Sequence, residues 1–184
     1  IELYVENTIC DSKEETEAIF VQLENDYNTL KSVFDLQTKI KVYVIEDDYV
    51  LGDMHGAYMD GKVLCNLDII ENGNYRAYFT GAYLKTSEPW KYYGASEYVF
   101  GEPSDTTETL TSYYSDENNL LTLSLFAAYF NDSFADTETI EIAKTTARAL
   151  TKYVIDTRGK QAFINADLTD YRQEWLTFIG VEKA

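Results

Sequence analysis

Histidine is almost absent from this sequence, since His55 is the only one among 184 residues. Two imidazole ligands on one metal are therefore excluded, although imidazole is a very common ligand of zinc. Cysteine is also sparse, because Cys10 and Cys65 are the only two and lie far apart. That spacing argues against a cysteine-rich metal site and leaves two buried thiols or one disulfide as alternatives. No run of about eighteen apolar residues occurs, so we predict no membrane-spanning segment.

Basic residues are few: 15 Lys and Arg oppose 32 Asp and Glu, for a formal net charge of -17. This balance argues against a nucleic-acid partner, because a phosphate backbone requires clustered cations, and against anionic lipid surfaces. The chain starts at Ile1 rather than methionine and contains 16 tyrosines. We expect a fragment, without its leader, of a bacterial extracytoplasmic protein that is secreted or anchored to the cell surface as a lipoprotein.

The amino-terminal part combines short strands with one long helix. Apolar alternation predicts strands over residues 2–6 and 39–45, and Asp-Gly at 60–61 predicts a hairpin of residues 56–59 and 62–65. A capping box at Ser12 and Glu15 opens a helix over residues 13–36. Its apolar stripe comprises Phe20, Leu23, Tyr27, Leu30 and Phe34.

The remaining sequence is predicted to be mostly helical. Helices are expected over residues 74–85, 87–101, 118–130, 137–157 and 170–178, with the nearly apolar helix at 118–130 buried in the centre. Strands first and helices afterwards predict an α+β fold with a small mixed sheet. We expect one domain over residues 1–184, with a sheet-rich part at 1–70 and a helical part at 71–184.

One segment resembles a known motif. Residues 89–98 read PWKYYGASEY, which resembles the P-W-L-x-E-G-L-A-E-Y segment of the gluzincin-like, or peptidase MA-like, zinc peptidases. The preceding order of strand, long helix, strand and hairpin is similar to that family, and so is the GKQAF stretch at 159–163. The resemblance implies a zincin-like fold with a metal site formed by an H-E-x-x-H helix and a later glutamate.

The family's metal-site residues are replaced in this chain. Two histidines one helical turn apart grip zinc, and the glutamate between them is the general base. Residues 75–79 read YRAYF where that motif belongs, so the resemblance aligns Tyr75 and Phe79 with the ligands and Arg76 with the base. The third ligand aligns with Tyr93. We therefore expect no catalytic residue, no metal and no cofactor.

We interpret the replaced site as a noncatalytic remnant filled by aromatic rings. Each ring, once buried, contributes roughly 1.5–3 kcal/mol. The expected remnant cleft is lined by Tyr75, Arg76, Phe79, Trp90, Tyr93 and Glu97. The predicted function is a binding or interaction module for a peptide, protein or glycan. The alternative is a hydrolase that uses metal-free, carboxylate-based chemistry in the same cleft.

Other groups of residues have simpler interpretations. His55 beside Asp53 could act as a base for a cysteine nucleophile, but a surface loop explains it. Glu88, Glu97 and Glu102 are candidates for a paired-carboxylate site, although chance pairs are expected among so many acids. Asp132, Asp136 and Glu138 suggest weak calcium binding, whereas Asp136 is explained as a helix cap.

Aromatic residues concentrate in the segment that carries the resemblance. Helical spacing favours a core role over a ligand platform for Trp90, Tyr92, Tyr93, Tyr98 and Phe100. The polar setting of residues 113–114, both tyrosine, favours exposure and a recognition role.

Overall fold

The computed structural model describes residues 1–46, 57–59, 61–102, 105–127 and 137–181. These residues form a mixed α+β structure of four strands and nine helices, which confirms the predicted α+β class. The chain divides into two compact units, Ile1–Glu88 and Pro89–Ala184. We call them the amino-terminal unit and the carboxy-terminal unit.

A four-stranded sheet forms the base of the amino-terminal unit. Its strands are β1 (Glu2–Val5), β2 (Lys41–Val44), β3 (Ala57–Met59) and β4 (Lys62–Cys65), in the order β1-β2-β4-β3. Strands β1, β2 and β4 are parallel, and β3 runs antiparallel to β4, as the predicted hairpin requires. Gly61 has a φ of 76° in the hairpin turn, a conformation that favours glycine.

The long helix α1 (Lys13–Phe34) follows β1. Ser12 caps it as predicted, because its hydroxyl accepts a hydrogen bond from the Glu15 backbone N–H at 3.2 Å. The buried face differs from the predicted stripe, since Phe20 and Tyr27 are only half-buried. Fully buried positions along α1 are Ile19, Leu23, Asp26, Leu30 and Phe34. A carboxylate therefore lies in the middle of an otherwise apolar face.

Two helices complete the amino-terminal unit, α2 (Leu67–Glu71) and α3 (Arg76–Leu84). The sequence predicted α3 and missed α2. Helix α3 contacts α1, β3 and β4. The Tyr83 hydroxyl secures the α1–β2 connection, because it accepts from the Leu36 N–H at 3.0 Å and donates to the Leu36 carbonyl at 2.6 Å. Helices α2 and α3 thus belong with the sheet, although we expected the sheet-rich part to end at residue 70.

All regular secondary structure in the described part of the carboxy-terminal unit is helical. Its helices are α4 (Pro89–Phe100), α5 (Thr107–Ser115), α6 (Leu123–Ala127), α7 (Thr137–Arg158), α8 (Lys160–Asn165) and α9 (Leu168–Phe178). The sequence predicted α4 and α7 closely and missed α5 and α8. An Asp167–Asp170 capping box begins α9 two residues earlier than we predicted.

Helices α4 and α7 form the centre of this unit. Every residue from Trp90 to Ser96 is buried, so the first two turns of α4 are covered on all sides. Gly94 allows the close approach, because a Cβ there would lie 2.2 Å from the Thr151 hydroxyl and 2.5 Å from the Ala147 carbonyl. Buried aromatic contacts support the packing, including Trp90 against Phe163 at 5.7 Å and Tyr114 against Trp175 at 5.8 Å between ring centroids.

The predicted central helix at residues 118–130 is wrong over its first part. Helix α6 begins only at Leu123, and Leu120 and Leu123 are 60% and 55% exposed. Asp116 is the physical reason, since its carboxylate accepts from the Asn118 backbone N–H at 2.9 Å and favours a turn over a helix. Helix α4 takes the central position instead, and residues 128–130 lie outside the described part.

No helix within the described ranges is both long enough and apolar enough to cross a membrane.

Candidate functional site

The six residues predicted for the remnant cleft fall in two groups. Tyr75, Arg76 and Phe79 lie at the start of α3 in the amino-terminal unit. Trp90, Tyr93 and Glu97 lie on α4 in the carboxy-terminal unit. The two groups therefore belong to different units, and the contacts of each are described within its own unit.

A carboxylate from α1 joins the first group. Asp26 is 6% exposed, and its Oδ2 accepts a hydrogen bond from the Tyr75 hydroxyl. Arg76 donates from Nε to the same Oδ2 at 2.8 Å and from Nη2 to Oδ1 at 3.3 Å. We call these three residues the Asp26 cluster. It fastens the first turn of α3 to the middle of α1 by two side chains that converge on one carboxylate.

The electrostatics of the Asp26 cluster are those of a compensated buried charge. The Arg76 guanidinium grips the carboxylate through two N–H groups, a geometry that strengthens the pair. Hydrogen bonding to Asp26 raises the pKa of Arg76. Burial, together with the hydrogen bond to Asp26, raises the pKa of the Tyr75 hydroxyl, so Tyr75 remains a neutral donor at physiological pH. The carboxylate is therefore held by one cation and one neutral hydroxyl.

Aromatic rings fill the space beside the Asp26 cluster. Tyr75 and Phe79 are both fully buried, and their rings meet edge to face at 5.9 Å between centroids. Gln22 on α1 donates to the Ile70 carbonyl at 2.9 Å, which adds a polar link from α1 to α2. The positions that the resemblance aligns with two zinc ligands are thus occupied by packed rings.

The second group is built around the buried helix α4. Trp90 is fully buried and Tyr93 is 2% exposed, so both belong to the core of the carboxy-terminal unit. The core role that we favoured for the aromatic segment is confirmed for Trp90, Tyr92 and Tyr93, whereas Tyr98 and Phe100 are only half-buried. Tyr114 is fully buried, so the predicted exposure of both tyrosines at 113–114 is wrong for Tyr114. Its hydroxyl shares a hydrogen bond with Thr146 at 2.8 Å, which satisfies the polar group inside the core.

The acidic candidates that the structure describes are divided between the two units. Glu97 is half-buried near the end of α4, close to Gly101, and Glu102 is exposed. Glu88 is half-buried in the amino-terminal unit. Glu138 is exposed on the first turn of α7, whereas Asp132 and Asp136 lie outside the described residues.

Of the candidates for nucleophilic catalysis, the structure describes only the two cysteines. His55 and Asp53 are outside the described residues. Both thiols are free, which decides against the disulfide alternative, but only Cys65 is buried and Cys10 is half-buried. Burial raises the pKa of the Cys65 thiol to about 12, so this group is inert near neutral pH.

The first turn of α3 has few groups that could bind a metal ion. A guanidinium carries no lone pair for a metal, a phenyl ring offers no ligand atom, and the Tyr75 hydroxyl is committed to Asp26. Among the residues that the structure describes, no group of three or more His, Cys, Asp or Glu side chains is placed to hold a metal ion. The arrangement is suited to holding two helices together.

Asp26 is the residue of this site that the sequence interpretation missed. Its position between Leu23 and Leu30 on the buried stripe was the available signal, because a carboxylate on a buried face requires a partner. Arg76, at the start of α3, is such a partner.

Comparison with protein-family models, with curated proteins and with solved structures gave no match.

Proposed function

We propose that this chain is a noncatalytic, gluzincin-like module whose zinc site has been replaced by a structural cluster, and that it functions by binding a partner. The Asp26 cluster carries the proposal. Arg76 stands at the position that the resemblance aligns with the general base, and Tyr75, whose hydroxyl donates to Asp26, stands at a position that it aligns with a ligand. Recovering metal chemistry there would require a new ligand set and a new base.

The support comes from the chemistry of the donor set. A zinc site that had merely lost its metal would retain side chains with free lone pairs around a polar space. The positions that the resemblance aligns with such a site hold a neutral hydroxyl donor, a cation and a phenyl ring, all in contact with other groups. This set stabilises the fold and provides no activated water.

Metal content tests the proposal. Purified protein would be incubated with excess zinc, passed through a desalting column and analysed by plasma mass spectrometry, alongside a His55→Ala variant. We expect well under one zinc per chain and no change in melting temperature on adding zinc. One tightly held zinc per chain in both proteins would overturn the proposal. Zinc lost only in the variant would overturn it as well, because it would assign a metal site to His55.

A further inference from the structure

Strand β1 lies at one edge of the sheet. It bonds to β2 through its even-numbered residues, since Glu2 N–H donates to the Ile40 carbonyl at 2.8 Å and Glu6 N–H to the Val44 carbonyl at 3.0 Å. Peptide groups alternate in direction along a strand, so the N–H and C=O groups of Leu3 and Val5 face away from β2. In the described part of the chain no strand pairs with them.

A groove runs beside this edge. Its volume is about 530 Å³, and Leu3 and Val5 of β1 form one wall while residues from the loop and the first turns of α1 form the other. Phe20 adds an aromatic ring to the lining. Lys13 and Glu17 form an ion pair at 2.9 Å at the α1 side. The groove offers apolar surface to side chains of an added strand that point toward α1.

The other face of the β1 edge presents an aromatic ring. Tyr4 is 45% exposed and stacks on Tyr43 of β2, with ring centroids 4.7 Å apart and planes 8° from parallel. One face of the Tyr4 ring is covered by this stack, and its opposite face points beyond the edge. The Glu2 carboxylate accepts from the Tyr4 hydroxyl at 3.1 Å, so a negative charge lies at the hydroxyl end of the ring.

The charges along this edge select the partner. Glu2 pairs with Lys41 at 3.5 Å and Glu17 with Lys13 at 2.9 Å, so Glu6 is the acid in excess along this edge, in a chain of net charge -17. A cationic side chain on an added strand would stack on Tyr4 and approach Glu2, which combines cation–π and ionic attraction. A second copy of this chain would bring the same acids together, so self-pairing is disfavoured.

We propose that the β1 edge binds an extended basic segment of another protein by strand addition. Alternate side chains of that segment are apolar and fill the groove, and the intervening ones are Lys or Arg and lie over Tyr4. This gives the proposed binding module a surface and a partner. It uses no residue of the Asp26 cluster, so either proposal can fail while the other stands.

The test uses synthetic peptides and the amide protons of β1. The probe is an acetylated, amidated peptide of four Val-Arg repeats, and the controls are the same peptide N-methylated at every second residue and a Val-Glu peptide. We expect the probe to slow hydrogen exchange at Leu3 and Val5 by about tenfold, and the two control peptides to leave it unchanged. Equal protection by the N-methylated peptide, protection confined to other strands, or no binding would each overturn the proposal.

Three variants extend the test. Leu3→Pro removes an outward N–H without touching the β1–β2 ladder and should weaken binding at least about tenfold, whereas Leu3→Ala keeps that N–H and should lose less. Tyr4→Ala should weaken binding by about fivefold. Thermal melting checks that each variant folds.

Unchanged affinity in folded Leu3→Pro contradicts strand addition. A concentration-dependent dimer that protects the same amides without peptide shows that a second copy is the partner, which also overturns the proposal.

Discussion

At the scale of single residues, Asp26 is the buried charge that links α1 to α3 in the amino-terminal unit. A carboxylate on the buried face of a helix is unfavourable unless it is paired, and here Tyr75 and Arg76 satisfy it from α3. Both oxygens accept hydrogen bonds, so the carboxylate is fully used. The same contacts fix where the first turn of α3 lies on α1.

Asp26→Ala should lower the free energy of unfolding by about 2–4 kcal/mol, because it leaves the buried Tyr75 hydroxyl without its acceptor and Arg76 without its carboxylate. Glu24→Ala is the matched control, since Glu24 is an exposed acid on the same helix; it should change stability by less than about 0.5 kcal/mol. Urea denaturation of the three proteins measures the difference. Similar small losses in both variants would show that the Asp26 cluster contributes little.

At the scale of elements, local patterns predicted most of the chain. Alternating apolar residues identified β1 and β2, Asp60-Gly61 identified the β3–β4 hairpin, and Ser12 placed the start of α1. These features depend on neighbours in sequence, so one sequence is sufficient to predict them. The short helices α2 and α8 escaped prediction because five or six residues are too few to display helical periodicity.

Tertiary packing decides the features that the sequence did not predict. Hydrophobicity alone suggested that residues 118–130 were central, yet α4 occupies the centre while carrying Lys91 and Ser96. The Lys91 Nζ donates to the Ile164 carbonyl at 3.3 Å and lies 5.8 Å from the Trp90 ring centroid. Contacts between residues far apart in sequence thus allow Lys91 to be buried, although its charge favours an exposed position. The pairing of Asp26 with Arg76 has the same origin.

Gly94→Ala tests the contact between α4 and α7. Helix propensity alone predicts that alanine stabilises a helix by about 0.5–1 kcal/mol over glycine. The added Cβ would instead overlap the Thr151 hydroxyl and the Ala147 carbonyl. We expect a net loss of about 2–3 kcal/mol in urea denaturation.

A second substitution separates the two overlaps. Thr151→Ala in the Gly94→Ala background removes the side-chain overlap, and we expect it to recover part of the lost stability while the Ala147 carbonyl still obstructs. A gain in stability from Gly94→Ala alone would mean that the two helices separate readily.

At the scale of the whole molecule, charge is the dominant property. The 32 acids outnumber the 15 Lys and Arg, and most ion pairs within the described ranges join half-buried or exposed side chains, which stabilise little. Repulsion among unpaired carboxylates therefore opposes folding. The α+β class was predictable from the order of elements, whereas the division at Glu88 was not, because no linker composition marks it.

Salt should consequently stabilise this protein. Raising sodium chloride from about 10 mM to about 300 mM shortens the screening length from roughly 30 Å to below 8 Å, so repulsion weakens more than close pairs do. We expect the melting temperature to rise by a few degrees in calorimetry. Potassium chloride should act equally if screening is the cause. A fall in melting temperature would show that surface ion pairs outweigh the repulsion.

The Asp26 cluster also limits how this chain can change over generations. Histidine at position 75 alone would remove the hydroxyl donor and place an imidazole beside Arg76, and glutamate at position 76 alone would set a second carboxylate against Asp26. Each single step lowers stability before any metal could be held. A metal site at these positions would therefore require several substitutions together, because the contacts to Asp26 make each one alone destabilising.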